Sequence, residues 1–92
     1  NLKRISPYGK RGRKLYCLQD AAAAIDHILL LAVDNGLDAC WIGAFDEKSV
    51  SKILNLPSYC KPVALIPIGH STEKKTITSR MKTDKLIHYN QW

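Results

Sequence analysis

Three features of the chain predict an α+β fold. Residues 15–35 are rich in alanine and leucine and read as one long helix. Two short apolar runs, residues 39–42 and 63–68, read as strands of a small sheet, with an acid-capped helix over residues 47–54 between them. Residues 71–92 are mostly polar and read as an extended C-terminal tail. The organisation expected is therefore a basic loop or connection over 1–14, a helix–strand–helix–strand core over 15–70, and a tail over 71–92.

The long helix rests on strong helix formers. Gly36 after Asn35 supplies a C-terminal stop. Ala21, Ala24, Ile25, Ile28, Leu29 and Ala32 recur at spacings of three and four and form one stripe. Leu30, Leu31 and Val33 widen the apolar surface beyond that stripe. A helix apolar on most sides is buried on most sides, and a domain of 92 residues can hardly enclose it alone. The stretch from Ala21 to Val33 is thus expected to form a subunit interface.

The first strand is followed by Asp46, which suits a helix N-cap. Val50, Ile53 and Leu54 give the second helix an inward face. Pro57 and Pro62 punctuate the connection. Residues 63–68 are almost continuously apolar, as in a strand covered on both faces, and Gly69 ends it. The tail closes on Leu86-Ile87-His88-Tyr89-Asn90-Gln91-Trp92, an apolar and aromatic cluster expected to dock on the chain's own core or on a neighbour. Pro7, Gly9 and Gly12 break any regular pattern among the first residues.

The net charge of +6 favours anionic partners. The excess sits at the two ends: Lys3, Arg4, Lys10, Arg11, Arg13 and Lys14 at one, Lys74, Lys75, Arg80, Lys82 and Lys85 at the other. Tyr8 and Tyr16 beside the first cluster suit stacking on single-stranded bases. No recognised nucleic-acid motif accompanies them, so nucleic acid is not the partner expected. Cys17, Cys40 and Cys60 form no disulfide framework, and a reducing, cytoplasmic setting is expected. No signal-peptide pattern opens the chain. The stretch from Ala21 to Val33, interrupted by Asp26 and His27, is too short for a membrane span. The cysteines and His27, His70 and His88 lack zinc spacing, so no metal is expected. Asp26 and His27 are adjacent on a helix and do not share a face, and no glycine-rich dinucleotide fingerprint follows a strand.

The most informative segment is Asp38-Ala39-Cys40-Trp41-Ile42-Gly43-Ala44-Phe45-Asp46-Glu47. An apolar strand enters a small-residue turn that opens a helix. Gly43 and Ala44 carry almost no side chain, so their N–H groups can approach a flat ligand, a flavin or another planar anion. The plain alternative is an ordinary strand-to-helix turn with Trp41 in the core.

Four blocks, in order, carry a resemblance. They are Leu18-Gln19-Asp20-Ala21-Ala22-Ala23-Ala24, the run from Asn35 to Asp46, Leu54-Asn55-Leu56-Pro57, and Lys61-Pro62-Val63-Ala64-Leu65-Ile66-Pro67-Ile68-Gly69-His70. Together the sequence resembles the C-terminal half of the nitroreductase family, with a looser echo through Ser79-Arg80. The resemblance implies a nitroreductase-like α+β fragment with FMN as cofactor. It implies NAD(P)H as hydride donor, a nitro-aromatic or quinone-like small molecule as electron acceptor, and an intertwined homodimer whose tail wraps the partner.

By the same resemblance, Trp41, Ile42, Gly43 and Ala44 lie along the isoalloxazine ring with a backbone N–H toward N5. Arg80 reaches the flavin phosphate, with Thr78 where some members carry lysine and Lys82 as a substitute. The chemistry needs no side-chain nucleophile, so no catalytic residue is assigned. The family's Arg-Ser-x-Arg-like phosphate motif has no counterpart: Lys10-Arg11-Gly12-Arg13 stands elsewhere. That gap leaves a second expectation open, a truncated, non-catalytic dimerisation or binding module that has lost the flavin.

Overall fold

The computed structural model describes residues 1–73 and 76–92. Lys74 and Lys75, part of the second basic cluster, lie outside them.

Residues 1–14 are not the loop expected. A 3-10 turn (Ser6–Tyr8), a short helix α1 (Gly9–Arg11) and a π-helical turn (Gly12–Tyr16) lead into the long helix α2 (Cys17–Asp34). Pro7 opens the 3-10 turn, a place where its missing N–H is not needed. Gly12 is buried, and a Cβ there would lie 2.5 Å from the Tyr8 Cβ. Of the three residues that read as breakers, Pro7 and Gly12 thus serve the helical run, while Gly9 takes a non-helical φ of +61° where the 3-10 turn meets α1. The whole run, Ser6–Asp34, is long and apolar enough by length and composition to cross a membrane. The shorter stretch read from the sequence did not reach that length.

α2 ends as the sequence indicates. Gly36 takes a φ of +70°, a conformation glycine adopts without a Cβ penalty. The Gly36 amide donates to the Val33 carbonyl at 3.0 Å and the Leu37 amide to the Ala32 carbonyl at 2.8 Å, the paired bonds of a Schellman stop. The helix α3 (Glu47–Ile53) begins at Asp46, whose carboxylate accepts the Ser49 amide at 2.6 Å. It closes with the same device: Asn55 takes a φ of +54°, and the Leu56 amide donates to the Ser51 carbonyl at 2.9 Å.

The sheet is smaller than expected. Regular pairing is confined to β1 (Asp38–Ala39) and β2 (Ile68–Gly69), antiparallel, with Asp38 opposite Gly69 and Ala39 opposite Ile68. An isolated bridge, Ile42 to Leu65, keeps the same register. Ile42 and Leu65 exchange both backbone bonds, at 2.9 and 3.0 Å. Between these pairs lies Pro67, which has no N–H to donate, and the ladder is interrupted there. The second strand is not covered on both faces: residues 62–66 are half-buried and 67–70 exposed.

α2 packs on β1 through a narrow stripe. Ile25 and Ala32 are buried, at 8% and 6% exposure. Ala21 and Leu29 are half-buried on the same face. Ala24 and Ile28, expected on that stripe, are exposed, as are Leu18, Leu30, Leu31 and Val33. The inward face expected of α3 reduces to Val50, because Ile53 is 79% exposed and Leu54 is exposed too. Along the tail, Ile77, Met81, Leu86, Tyr89 and Trp92 are exposed, so it does not dock on the chain's own core.

The accessible surface is 8443 Å², against about 5,400 Å² for a folded monomer of this mass. The radius of gyration is 17.1 Å, against about 12 Å for a compact chain. Much of the apolar surface of the chain is therefore left open.

Candidate functional site

The candidate site is built where the β1 segment leaves the sheet and turns into α3. Pairing of Ile42 with Leu65 fixes the backbone up to residue 42, and the Asp46 cap fixes it again at the start of α3. Gly43, Ala44 and Phe45 span the gap between two anchored ends. Trp41 is 43% exposed, so the alternative with Trp41 in a core is not found. Ile42, Gly43 and Ala44 are exposed as well.

A Cβ on Gly43 would meet nothing within 4 Å. Among the described residues, the Gly43 and Ala44 amides donate to no protein acceptor. Two adjacent donors without protein partners, reached through open space, meet the requirement for close approach of a planar group. Glycine at residue 43 is not demanded by anything in this chain. The turn thus presents two open backbone donors beside the exposed Trp41 and Ile42.

The phosphate end is different. Arg80 is exposed, and its Nη1 donates to the Thr78 hydroxyl, to the Ser79 carbonyl at 3.3 Å and to the Thr78 carbonyl at 3.5 Å. These bonds lie within its own stretch of tail. Thr78 and Arg80 are brought to each other, not to residues 41–44.

The Asp46 carboxyl has a further property. Hydrogen bonding from Ser49, through its hydroxyl and its amide, holds it below the usual aspartate range. The carboxylate is thus kept ionised beside the turn and fastens the first turn of α3.

A crevice of about 400 Å³ opens beside the strand ends, lined by Asp38, Cys40, Pro67, Ile68, His70 and Ser71 among others. Asp38 Oδ2 accepts the Ser71 amide at 3.0 Å and joins the two ends of the ladder. Sequence reasoning missed this link. The residues lie far apart in the chain, and only the register of the strands brings them together.

The basic first segment is structured, not splayed. Tyr8 and Tyr16 meet edge-to-face at 6.2 Å, and Arg11 lies 5.6 Å over the Tyr16 ring while its Nε donates to the Tyr16 hydroxyl at 3.0 Å. The Tyr16 ring is engaged within the chain. Among the described residues no three of His, Cys, Asp and Glu gather as a metal site.

Comparison with known proteins places this arrangement. The model of the nitroreductase family matches residues 2–70. A Methanothermobacter thermautotrophicus protein with the provisional name NADH dehydrogenase/NAD(P)H nitroreductase is 27% identical over 81 residues, which is 84% of this chain and 42% of that protein. The fold matches a crystal structure of a nitroreductase family protein from Streptococcus pneumoniae, with a TM-score of 0.84 and 23% identity over 96% of this chain and 44% of that one. The chain thus spans less than half the length of these relatives. The matched residues include all of α2, β1, the turn and α3, and the chain belongs to the nitroreductase family.

Proposed function

We propose that the protein acts as an FMN-dependent oxidoreductase of nitroreductase type, with this segment supplying one wall of the flavin site and much of a homodimer interface. The reading rests on the open, unpaired backbone at Gly43 and Ala44 in a chain of this family. FMN, when bound, supplies the redox step, taking hydride from NADH or NADPH and passing it to a nitro-aromatic or quinone-like acceptor.

The chain's own residues bind and orient. Trp41 and Ile42 offer apolar surface beside the ring. The Gly43 and Ala44 amides direct donors at its edge, which holds the ring in place and favours added negative charge. Arg80 with Thr78 takes the phosphate. Leu30, Leu31 and Val33 on the exposed side of α2 pack on a second copy, which removes apolar surface from water. On this reading the exposed apolar face of the long helix is covered by protein. Free Cys17, Cys40 and Cys60 accord with a reducing, cytoplasmic setting.

A second reading has one observation behind it. Arg80 is not joined to the 41–44 turn, as in a dimerising module that no longer holds flavin. The absorbance spectrum of the purified protein separates the two. A band near about 450 nm, with acceptor-dependent oxidation of NADH or NADPH, supports the enzyme. Protein that stays colourless after addition of FMN but remains dimeric supports the module.

A further inference from the structure

A cleft whose lining does not include the candidate flavin turn gathers residues that the sequence keeps apart. Arg13 and Lys14 come from the π-helical turn, Cys17 and Leu18 from the start of α2, Leu2 from the first residues, and Lys61 and Val63 from the approach to β2. The cleft holds about 370 Å³, within the range of small-molecule sites. Leu2, Leu18 and Val63 make part of its wall apolar. The Cys17 thiol donates to the Arg13 carbonyl at 3.0 Å and is turned to the helix backbone.

Three cations line this cleft and no carboxylate does. Lys61 is bonded to Glu47 at 3.1 Å, outside the lining. Arg13 and Lys14 form no ion pair among the described residues. The helix winds here as a π-turn, a rare geometry that recurs where function requires it.

We propose that this cleft binds an organic anion with an apolar body, of the aryl phosphate or aryl carboxylate class. The anion pairs with Arg13, Lys14 and Lys61, and the ring lies against Leu2, Leu18 and Val63. The charge alone would hold any phosphate, and the apolar wall alone any aromatic. Both together select a molecule that joins the two. The site is independent of the flavin reading, because its lining excludes residues 41–44, 78 and 80.

Amide NMR titration of the protein with phenyl phosphate, inorganic phosphate and benzyl alcohol tests the proposal without any redox readout. Phenyl phosphate is expected to give saturable shifts at Cys17, Leu18 and Val63. The two control probes should bind about tenfold more weakly or less, since each lacks half of the recognition. Arg13→Gln and Lys61→Gln should each weaken phenyl phosphate about five- to tenfold, while Lys85→Gln, the same charge change outside the cleft, leaves it unaltered. Three results overturn the site: equal binding of either control probe, affinity that survives both Arg13→Gln and Lys61→Gln, or shifts confined to residues 78–80.

Discussion

Cys40 donates its amide to the carbonyl of Pro67 at 3.3 Å, and Pro67 has no N–H to return. Ile42 and Leu65, one hydrogen-bonded pair further along, exchange both bonds. The missing partner bond explains why an in-register ladder from residue 38 to 42 survives only as two short pieces. Pro67→Val should restore it. The new amide adds a hydrogen bond of about 0.5–1.5 kcal/mol, while loss of proline loosens the unfolded chain by about 0.4–1 kcal/mol. Stability is therefore expected to change by less than about 1 kcal/mol. Hydrogen exchange is the telling measurement: the amide of residue 67 should be protected, and an unprotected amide would contradict the ladder.

Asp46 sets the start of α3. Its folded-state pKa is lowered by Ser49, so its contribution is complete above the unfolded aspartate value, about pH 4. The contribution is lost as pH falls through the lowered value. Asp46→Ala should remove protection of the Ser49 amide at neutral pH. Asp46→Asn should keep a neutral cap but abolish the acid dependence of that protection. Equal protection in all three proteins would show that the cap is dispensable.

How much of this was legible depends on whether a signal was local. Asp46 as cap and Gly36 as stop were readable because each acts within a few residues of itself. The strand region was readable from its apolar run, but Pro67 falls on a hydrogen-bonded position, and register cannot be read from one strand. Pro7 and Gly12 looked like breakers because their roles depend on a neighbouring turn: Gly12 is needed where the Tyr8 Cβ crowds it. The turn at residues 41–44 was visible as small residues beside a strand. The Thr78–Arg80 pairing and the Asp38–Ser71 link were not, since no periodicity marks them.

The two faces of α2 should respond differently to substitution. Ile25→Ala removes a buried side chain and should cost about 2–4 kcal/mol of stability. Leu31→Glu alters an exposed one, so the fold should persist while the homodimer proposed above dissociates. Sedimentation velocity with circular dichroism measures both. A Leu31→Glu protein that stays dimeric would move the interface elsewhere.

Arg80→Ala should raise the dissociation constant for FMN about tenfold or more, the scale of one charge-assisted phosphate contact. Lys82→Ala should have a smaller effect. Fluorescence titration of FMN measures both, and unchanged affinity in Arg80→Ala would remove Arg80 from the site.

Gly43→Val gives the most direct test of the flavin turn. Within this chain a Cβ at residue 43 meets nothing within 4 Å and the residue is exposed, so the fold should persist, which circular dichroism checks. FMN titration of the two proteins side by side should show saturable binding by the parent and an affinity lower by about tenfold or more in Gly43→Val. Equal FMN affinity in both, or no FMN binding by the parent, would contradict the assignment of the turn to the flavin.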